Sequence, residues 1–145
     1  MSHSIFTIDD LKKEAITLAL EIDSPCCIAL WGEMGAGKTT FAKFFIQALL
    51  GDQNADVPSP TFTLVQTYQT NKGELWHCDL YRLNDPEEIA ELGLLEAFQR
   101  HICLVEWPEN AGSFLPKKRL DIYLDFIDET TRSYRLEKPK CKEYP

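Results

Sequence analysis

Apolar residues recur with a helical period near the start of the chain. Ile8, Leu11, Ala15, Leu18 and Ile22 fall on one face, with Thr7 placed as N-cap and Asp10 three residues on. Asp23-Ser24-Pro25 ends that helix. The pattern then changes to Cys27-Ile28-Ala29-Leu30-Trp31, an unbroken apolar run suited to a buried strand. A second helical pattern spans Thr39 to Leu50 and carries Phe41, Phe44, Phe45, Ala48 and Leu49, with Gly51 suited to its C-cap.

A polar loop, Gly51 to Asp56, leads into Val57-Pro58-Ser59-Pro60-Thr61-Phe62, which two prolines hold extended. Thr63 to Gln69 is rich in β-formers, Asn71-Lys72-Gly73 is a turn, and Glu74 to Leu80 returns, so this stretch predicts a hairpin. Asp85-Pro86-Glu87-Glu88 starts a helix by several rules: Asp85 as N-cap, Pro86 at the first helical position, acids in the first turn. Gly93 interrupts it, and Leu94 to Phe98 reads as a second short helix. Ile102-Cys103-Leu104-Val105 is another apolar strand, ending in Glu106. Leu120 to Phe126 alternates with period two, Ile127 to Thr130 turns the chain, and Thr131 to Leu136 returns. Residues 1–137 read as a single domain and 138–145 as a disordered polar tail. The predicted fold is a three-layer α/β domain with a mainly parallel central sheet and an antiparallel hairpin.

The chain has 145 residues, enough for one core, and no apolar run approaches the length that spans a bilayer. The N-terminus lacks the basic and apolar regions of a secretory signal, so a cytoplasmic protein is expected. Cys26, Cys27, Cys78, Cys103 and Cys141 form no C-x-x-C pair and are odd in number, which favours buried reduced thiols over zinc or a disulfide framework. The net charge of −8 disfavours tight direct binding of nucleic acid, and Lys117-Lys118-Arg119 and the tail hold the only basic clusters.

The strongest chemical signal is Gly32-Glu33-Met34-Gly35-Ala36-Gly37-Lys38-Thr39-Thr40, which fits G-x-x-x-x-G-K-[ST] from Gly32 to Thr39. It lies between a predicted strand and a predicted helix, the context such a phosphate loop requires. Backbone N–H groups cradle phosphates only where the chain approaches closely, hence glycines at 32, 35 and 37. The helix that follows points its positive end at the same oxygens. Lys38 then reaches the β and γ phosphates, and the Thr39 hydroxyl ligates Mg²⁺. A glycine-rich turn that binds nothing is the bland alternative.

Glu106 is the second signal: an acid closing an apolar strand downstream of a phosphate loop completes a metal site opposite Thr39. Asp79, at the end of the hairpin's return strand, supports Mg²⁺, orients an attacking water, or merely caps the following turn. Ser59 and Thr61 sit where a loop senses the γ-phosphate, or where a rigid segment leads into a strand. Thr7 brings the first helix's N-terminus beside the base or serves core cover alone. Arg132 reaches the nucleotide or lies on the surface. Trp107 packs near the nucleotide or in the core. His77, isolated from other ligand-type clusters, reads as a packed strand residue. Glu87, Glu88, Glu91 and Glu96 form a solvated face or an acidic contact. Asn71-Lys72-Gly73-Glu74 ends in Glu where the guanine-reading N-K-x-D motif has Asp, sits in a hairpin turn too early in the fold, and reads as turn chemistry, so nothing here separates adenine from guanine.

Four blocks in this order resemble the TsaE (YjeE) family of small bacterial P-loop ATPases: the phosphate loop, Ser59-Pro60-Thr61-Phe62, His77-Cys78-Asp79-Leu80-Tyr81-Arg82-Leu83 and Cys103-Leu104-Val105-Glu106-Trp107-Pro108-Glu109. The resemblance covers most of the chain. It implies an ATP- and Mg²⁺-dependent ATPase, weak alone, that serves the formation of N6-threonylcarbamoyladenosine at position 37 of tRNA. It implies as partner a two-subunit threonylcarbamoyltransferase complex, a transferase with its inactive paralogue, which holds the tRNA and which the ATP cycle resets. It implies Lys38, Asp79 and Glu106 as functional residues, Thr39 and Glu106 as Mg²⁺ ligands, and Ser59 to Phe62 as the switch-like loop. Small-molecule kinase activity on the same fold and a non-catalytic, nucleotide-gated binding module are the competing readings.

Overall fold

The computed structural model describes residues 2–33 and 35–137, with the backbone alone for 2–6 and 132. In chain order it contains β1 (Ser2–Thr7), α1 (Ile8–Glu21), β2 (Cys26–Trp31), α2 (Lys38–Leu50), β3 (Val65–Thr70), β4 (Gly73–Asp79), α3 (Glu88–Glu91), α4 (Leu94–Arg100), β5 (Ile102–Glu106), a 3₁₀ segment (Pro108–Phe114), β6 (Leu120–Asp128) and β7 (Thr131–Glu137). The described strands form one sheet in the order β1-β7-β6-β2-β5-β4-β3. Its centre, β4-β5-β2-β6, is parallel throughout. Antiparallel pairings close both margins, β3 on β4 at one side and β7 then β1 beyond β6 at the other.

Successive residues of β2 enter opposite cores, which is why its sequence is apolar without alternation. Ile28 and Leu30 meet Leu11, Leu18, Phe41 and Phe45 of α1 and α2 on one face. Cys27 and Ala29 meet Ile89, Leu94 and Phe98 of α3 and α4 on the other. Three layers result, as the alternating pattern predicts. Phe41 anchors the first core, its ring 6.4 Å from Phe45 and 6.0 Å from Tyr134. Each such fully buried side chain contributes on the order of 1.5–3 kcal/mol.

The predicted cap of α1 is present: Asp10 N donates to the Thr7 hydroxyl at 3.3 Å, and Thr7 N donates to the Asp10 carboxylate at 3.2 Å. At the other end of α1, Lys72 Nζ donates to Leu20 O at 2.8 Å and to Ile22 O at 2.6 Å. The hairpin turn therefore supplies the cation that the last carbonyls of a helix favour.

Three local features depart from the sequence pattern. β1 pairs with β7 along its length although no turn signal announces it; such a margin strand is defined by its partner. The helix expected at Asp85 is a single turn that begins at Glu88. Glu88 N and Ile89 N bond to Asp85 O and Pro86 O, tighter i→i+3 contacts, and Asp85 Oδ1 accepts from Glu87 N at 3.0 Å. Asp85 thus caps a turn rather than the helix itself. The helix expected over Leu94 to Phe98 continues to Arg100. Cys26, Cys27, Cys78 and Cys103 are buried, whereas Cys141, the tail at 138–145, Met34 and the Arg132 side chain lie outside the described residues.

Candidate nucleotide site

β2 delivers the chain to Gly32, which adopts φ +148°. A Cβ at this position would lie 2.3 Å from Leu124 O, so the turn passes β6 at a distance only glycine permits. Gly35 and Gly37 also have positive φ, and Ala36 N closes the loop on Glu33 O at 3.0 Å. α2 then begins at Lys38 with no side-chain cap, in contrast to the boxed start of α1. The first of its N–H groups to find a helical carbonyl is that of Phe41, on Gly37 O at 2.8 Å. The N–H groups of Lys38, Thr39 and Thr40 precede the first intrahelical bond and form an anion-seeking end.

Parallel register brings the acids to that end. Leu30 of β2 lies opposite Glu106 of β5, and Glu106 lies opposite Asp79 of β4. Three neighbouring strands therefore terminate level with one another, beneath the loop, at the sheet edge where α/β folds bind ligands. Thr39 Oγ1 donates to Glu106 Oε1 at 3.0 Å. A hydroxyl and a carboxylate are hard oxygen donors, the ligand type that Mg²⁺ takes. Charge argues the same way. Lys38 and the helix terminus face Glu106 and Asp79 across the cleft, so a triphosphate entering without a dication would meet two carboxylates with one ammonium to balance them.

Asp79 serves two neighbours at once. Its Oδ1 accepts from Tyr81 N at 2.9 Å, which caps the turn, and its Oδ2 accepts from the Thr61 hydroxyl at 3.0 Å. Ser59 Oγ lies 2.8 Å from Thr61 Oγ1. Because Thr61 spends its proton on Asp79, Ser59 is the donor of that contact. The proline-stiffened loop is thereby tied to the end of β4, and Leu64, in a left-handed conformation, accepts from Asp79 N at 2.9 Å.

Lys38 is 5 % exposed, bonds the carbonyl of Gly32, and stands 3.3 Å from the centre of the Trp107 ring. Burial pulls its ammonium below the ordinary lysine range, against the opposing pull of Glu106, Glu109 and Asp79. Trp107 itself has left-handed backbone angles, φ +57° and ψ +51°, a strain of about 1–2 kcal/mol for a bulky residue. Its ring lies 5.0 Å from that of Tyr81. Together they wall a cleft of about 420 Å³ lined also by Gly35, Gly37, Lys38, Thr39, Thr40, Thr61, Asp79 and Glu106.

Most of the residues singled out from sequence therefore meet at one place. Gly32, Glu33 and Ala36 shape the loop without lining the cleft. Thr7 is not among the lining residues, and its hydroxyl is engaged by Asp10. Sequence reasoning passed over Tyr81, and it left Trp107 undecided between core and site; the structure gives it both, packed against the second core and facing the cleft. It also took His77 as simple packing. His77 is buried, but its Nε2 is 2.7 Å from Glu106 Oε2. The available signal was parity: His77 is two residues from Asp79 and so shares its face of β4.

Comparison with known proteins bears on the chain as a whole. Residues 6–134 match the family model described as "Threonylcarbamoyl adenosine biosynthesis protein TsaE". The chain is 39% identical over 124 residues to the protein of that name from Rickettsia bellii, covering 86% of this chain and 85% of the relative. It is 38% identical over 119 residues to that of Haemophilus influenzae, covering 81% and 74%. The crystal structure of Bacillus subtilis YdiB superposes with a TM-score of 0.72 at 26% identity, over 99% of this chain and 89% of that one. Likeness of sequence along nearly the whole chain, on a shared frame of strand, phosphate loop and helix, places this protein in the TsaE family.

Proposed function

We propose that this chain binds ATP with Mg²⁺ in the cleft, hydrolyses it, and through that cycle supports the threonylcarbamoyladenosine modification of tRNA. The observation that carries the reading is the meeting of Lys38, Thr39, Glu106 and Asp79 at one sheet edge in a member of the TsaE family. The relatives' shared name supplies the pathway. Lys38 and the N–H groups opening α2 hold the β and γ phosphates. Thr39 and Glu106 hold Mg²⁺, directly or through its waters, and the ion when bound neutralises phosphate charge. Asp79, fixed by Tyr81 N, presents its other oxygen to Thr61, so the loop from Ser59 to Phe62 is coupled to the far wall of the site.

Hydrolysis by the isolated chain is slow in this reading. No arginine lines the cleft among the described residues, so Lys38 is the one basic side chain of the described lining and no arginine joins it in facing the developing charge. The same fact leaves a small-molecule kinase without a basic cover for the transferring phosphate. The partner is a two-subunit threonylcarbamoyltransferase complex, a transferase with its inactive paralogue, which carries the tRNA and which the ATP cycle resets. An acidic chain of net charge −8 suits a protein that does not itself grip the tRNA. Among the described residues no helix is long and apolar enough to cross a membrane, and the site of action proposed is the cytoplasm.

The test combines phosphate release with product counting. The chain alone, the chain with the purified two-subunit complex, and both with tRNA are given Mg-ATP. Slow release alone, faster release with the complex, and more than one modified tRNA per complex are expected. Rapid release by the isolated chain, or phosphorylation of a metabolite in stoichiometric yield, overturns the reading.

A further inference from the structure

Glu106 has two carboxylate oxygens and the protein engages both. Oε1 accepts from Thr39 at 3.0 Å, and Oε2 lies 2.7 Å from Nε2 of His77. The second contact is almost sealed from water: His77 is 1 % exposed and Glu106 2 %. The two residues come from adjacent parallel strands, where His77 is in register with Leu104 and Asp79 with Glu106, so the glutamate leans back by one pleat to reach the ring.

We propose that His77 is a positioning residue for the metal site, holding the Glu106 carboxylate in the rotamer that turns Oε1 toward Thr39 and the cleft. The inference rests on the reading of the cleft as a Mg-nucleotide site. A glutamate has three side-chain torsions, and a buried carboxylate needs donors to compensate its desolvation. Thr39 alone leaves Oε2 unsatisfied. The imidazole supplies the missing donor from a rigid ring on a strand, which fixes the plane of the carboxylate as well as its place. Such a partner behind a metal-binding carboxylate orients it and raises metal affinity.

The surroundings show that the ring is there for that bond. The other nitrogen, Nδ1, is buried and reaches no partner among the described residues. His77 shares its sheet face with Leu75, Ile102 and Leu104, where an aliphatic side chain would fill the space with no polar atom to bury. What imidazole adds over leucine at this position is a donor aimed at Glu106.

The experiment uses the full chain, with Mn²⁺ as probe ion and ADP as nucleotide. Mn²⁺ affinity is read by electron paramagnetic resonance in the presence of ADP. ADP affinity is read separately by calorimetry in chelator, where no metal takes part. The wild type is expected to bind Mn²⁺ with ADP. His77→Phe is expected to weaken Mn²⁺ binding by about 10-fold or more while leaving metal-free ADP affinity within about twofold. His77→Gln, whose amide nitrogen reaches the position of Nε2, is expected to recover most of the loss. Unchanged Mn²⁺ affinity in His77→Phe, an equal loss of metal-free ADP binding, or no recovery by His77→Gln would overturn the proposal. Should His77→Phe fail to fold, the comparison is His77→Gln against His77→Asn, whose shorter amide stops short of Glu106; equal Mn²⁺ affinities then overturn it. A wild type that binds ADP but no Mn²⁺ defeats the metal-site reading itself, an outcome separate from a wild type that binds and variants that do not differ.

Discussion

The hydroxyl of Thr39 donates to a carboxylate oxygen of Glu106 at 3.0 Å, across 67 positions of sequence. One residue comes from the first turn of α2 and the other from the last residue of β5, so the contact reports that helix and strand end at one level. Glu106→Gln keeps the shape and removes the charge. Mg-dependent phosphate release is expected to fall by about 10²–10³-fold, the range for loss of one group that helps stabilise charge at the reacting centre. ATP affinity in chelator is expected to stay within a few-fold, as calorimetry would read. Hydrolysis at the wild-type rate would remove Glu106 from the metal site.

Lys38 gives a pH prediction. Its ammonium is held below the usual lysine range chiefly by burial. The nucleotide-free fold therefore bears the cost of a buried charge at every pH below the folded-state pKa. That cost fades as pH rises from there to the unfolded value near ~10.4. Lys38→Met, which carries no charge, is expected to melt higher than wild type at pH 7, with the gap narrowing in alkaline buffer. Its ATP affinity should fall by roughly 10- to 100-fold, since a charge-assisted hydrogen bond contributes about 1.5–3 kcal/mol. Melting curves across pH check the first point; a gap that does not change with pH would contradict it.

The loop glycines are expected to differ. At Gly32 a methyl group would lie 2.3 Å from Leu124 O, a backbone atom that cannot move alone. Gly32→Ala should destabilise by about 3 kcal/mol or more, from overpacking added to a left-handed φ. At Gly35 an added methyl group would meet no atom of the described residues within 4 Å beyond its chain neighbours, and φ is +86°. Gly35→Ala should cost about 1–2 kcal/mol, the conformational term alone. Urea titration of both variants measures the difference, and equal losses would show that the approach to Leu124 relaxes.

Thr61 and Asp79 are expected to act as a pair, because a side-chain hydrogen bond of 3.0 Å between them ties the loop to β4. Thr61→Val, Asp79→Asn and the double variant form a cycle read by partner-stimulated phosphate release. A coupling of about 0.5–3 kcal/mol is expected for residues in direct contact. Thr61→Ser, which keeps the hydroxyl, should stay close to wild type. Additive losses would mean that the bond plays no part in the cycle.

Local pattern carried much of this protein. The phosphate loop was legible because its glycines, lysine and threonine are consecutive and the flanking periods change from strand to helix around it. The N-cap at Thr7 and the strand ending in Glu106 were legible for the same reason, as each is decided within a few residues. Asp85 misled because one residue type suits both a helix cap and a turn cap, and the choice belongs to the packing that follows.

Residue order alone determined which groups this chain brings to the cleft, and which segments present them, because backbone preference and apolar period act over short stretches. Tertiary structure alone decided what those groups meet. Strand register set Glu106 beside Asp79 and within reach of His77. A left-handed turn at Trp107 brought an indole against Lys38, and Asp79 acquired Thr61 from a loop 18 residues away. Pairings of that kind depend on the order and level of strands in a sheet, which no local window of sequence contains.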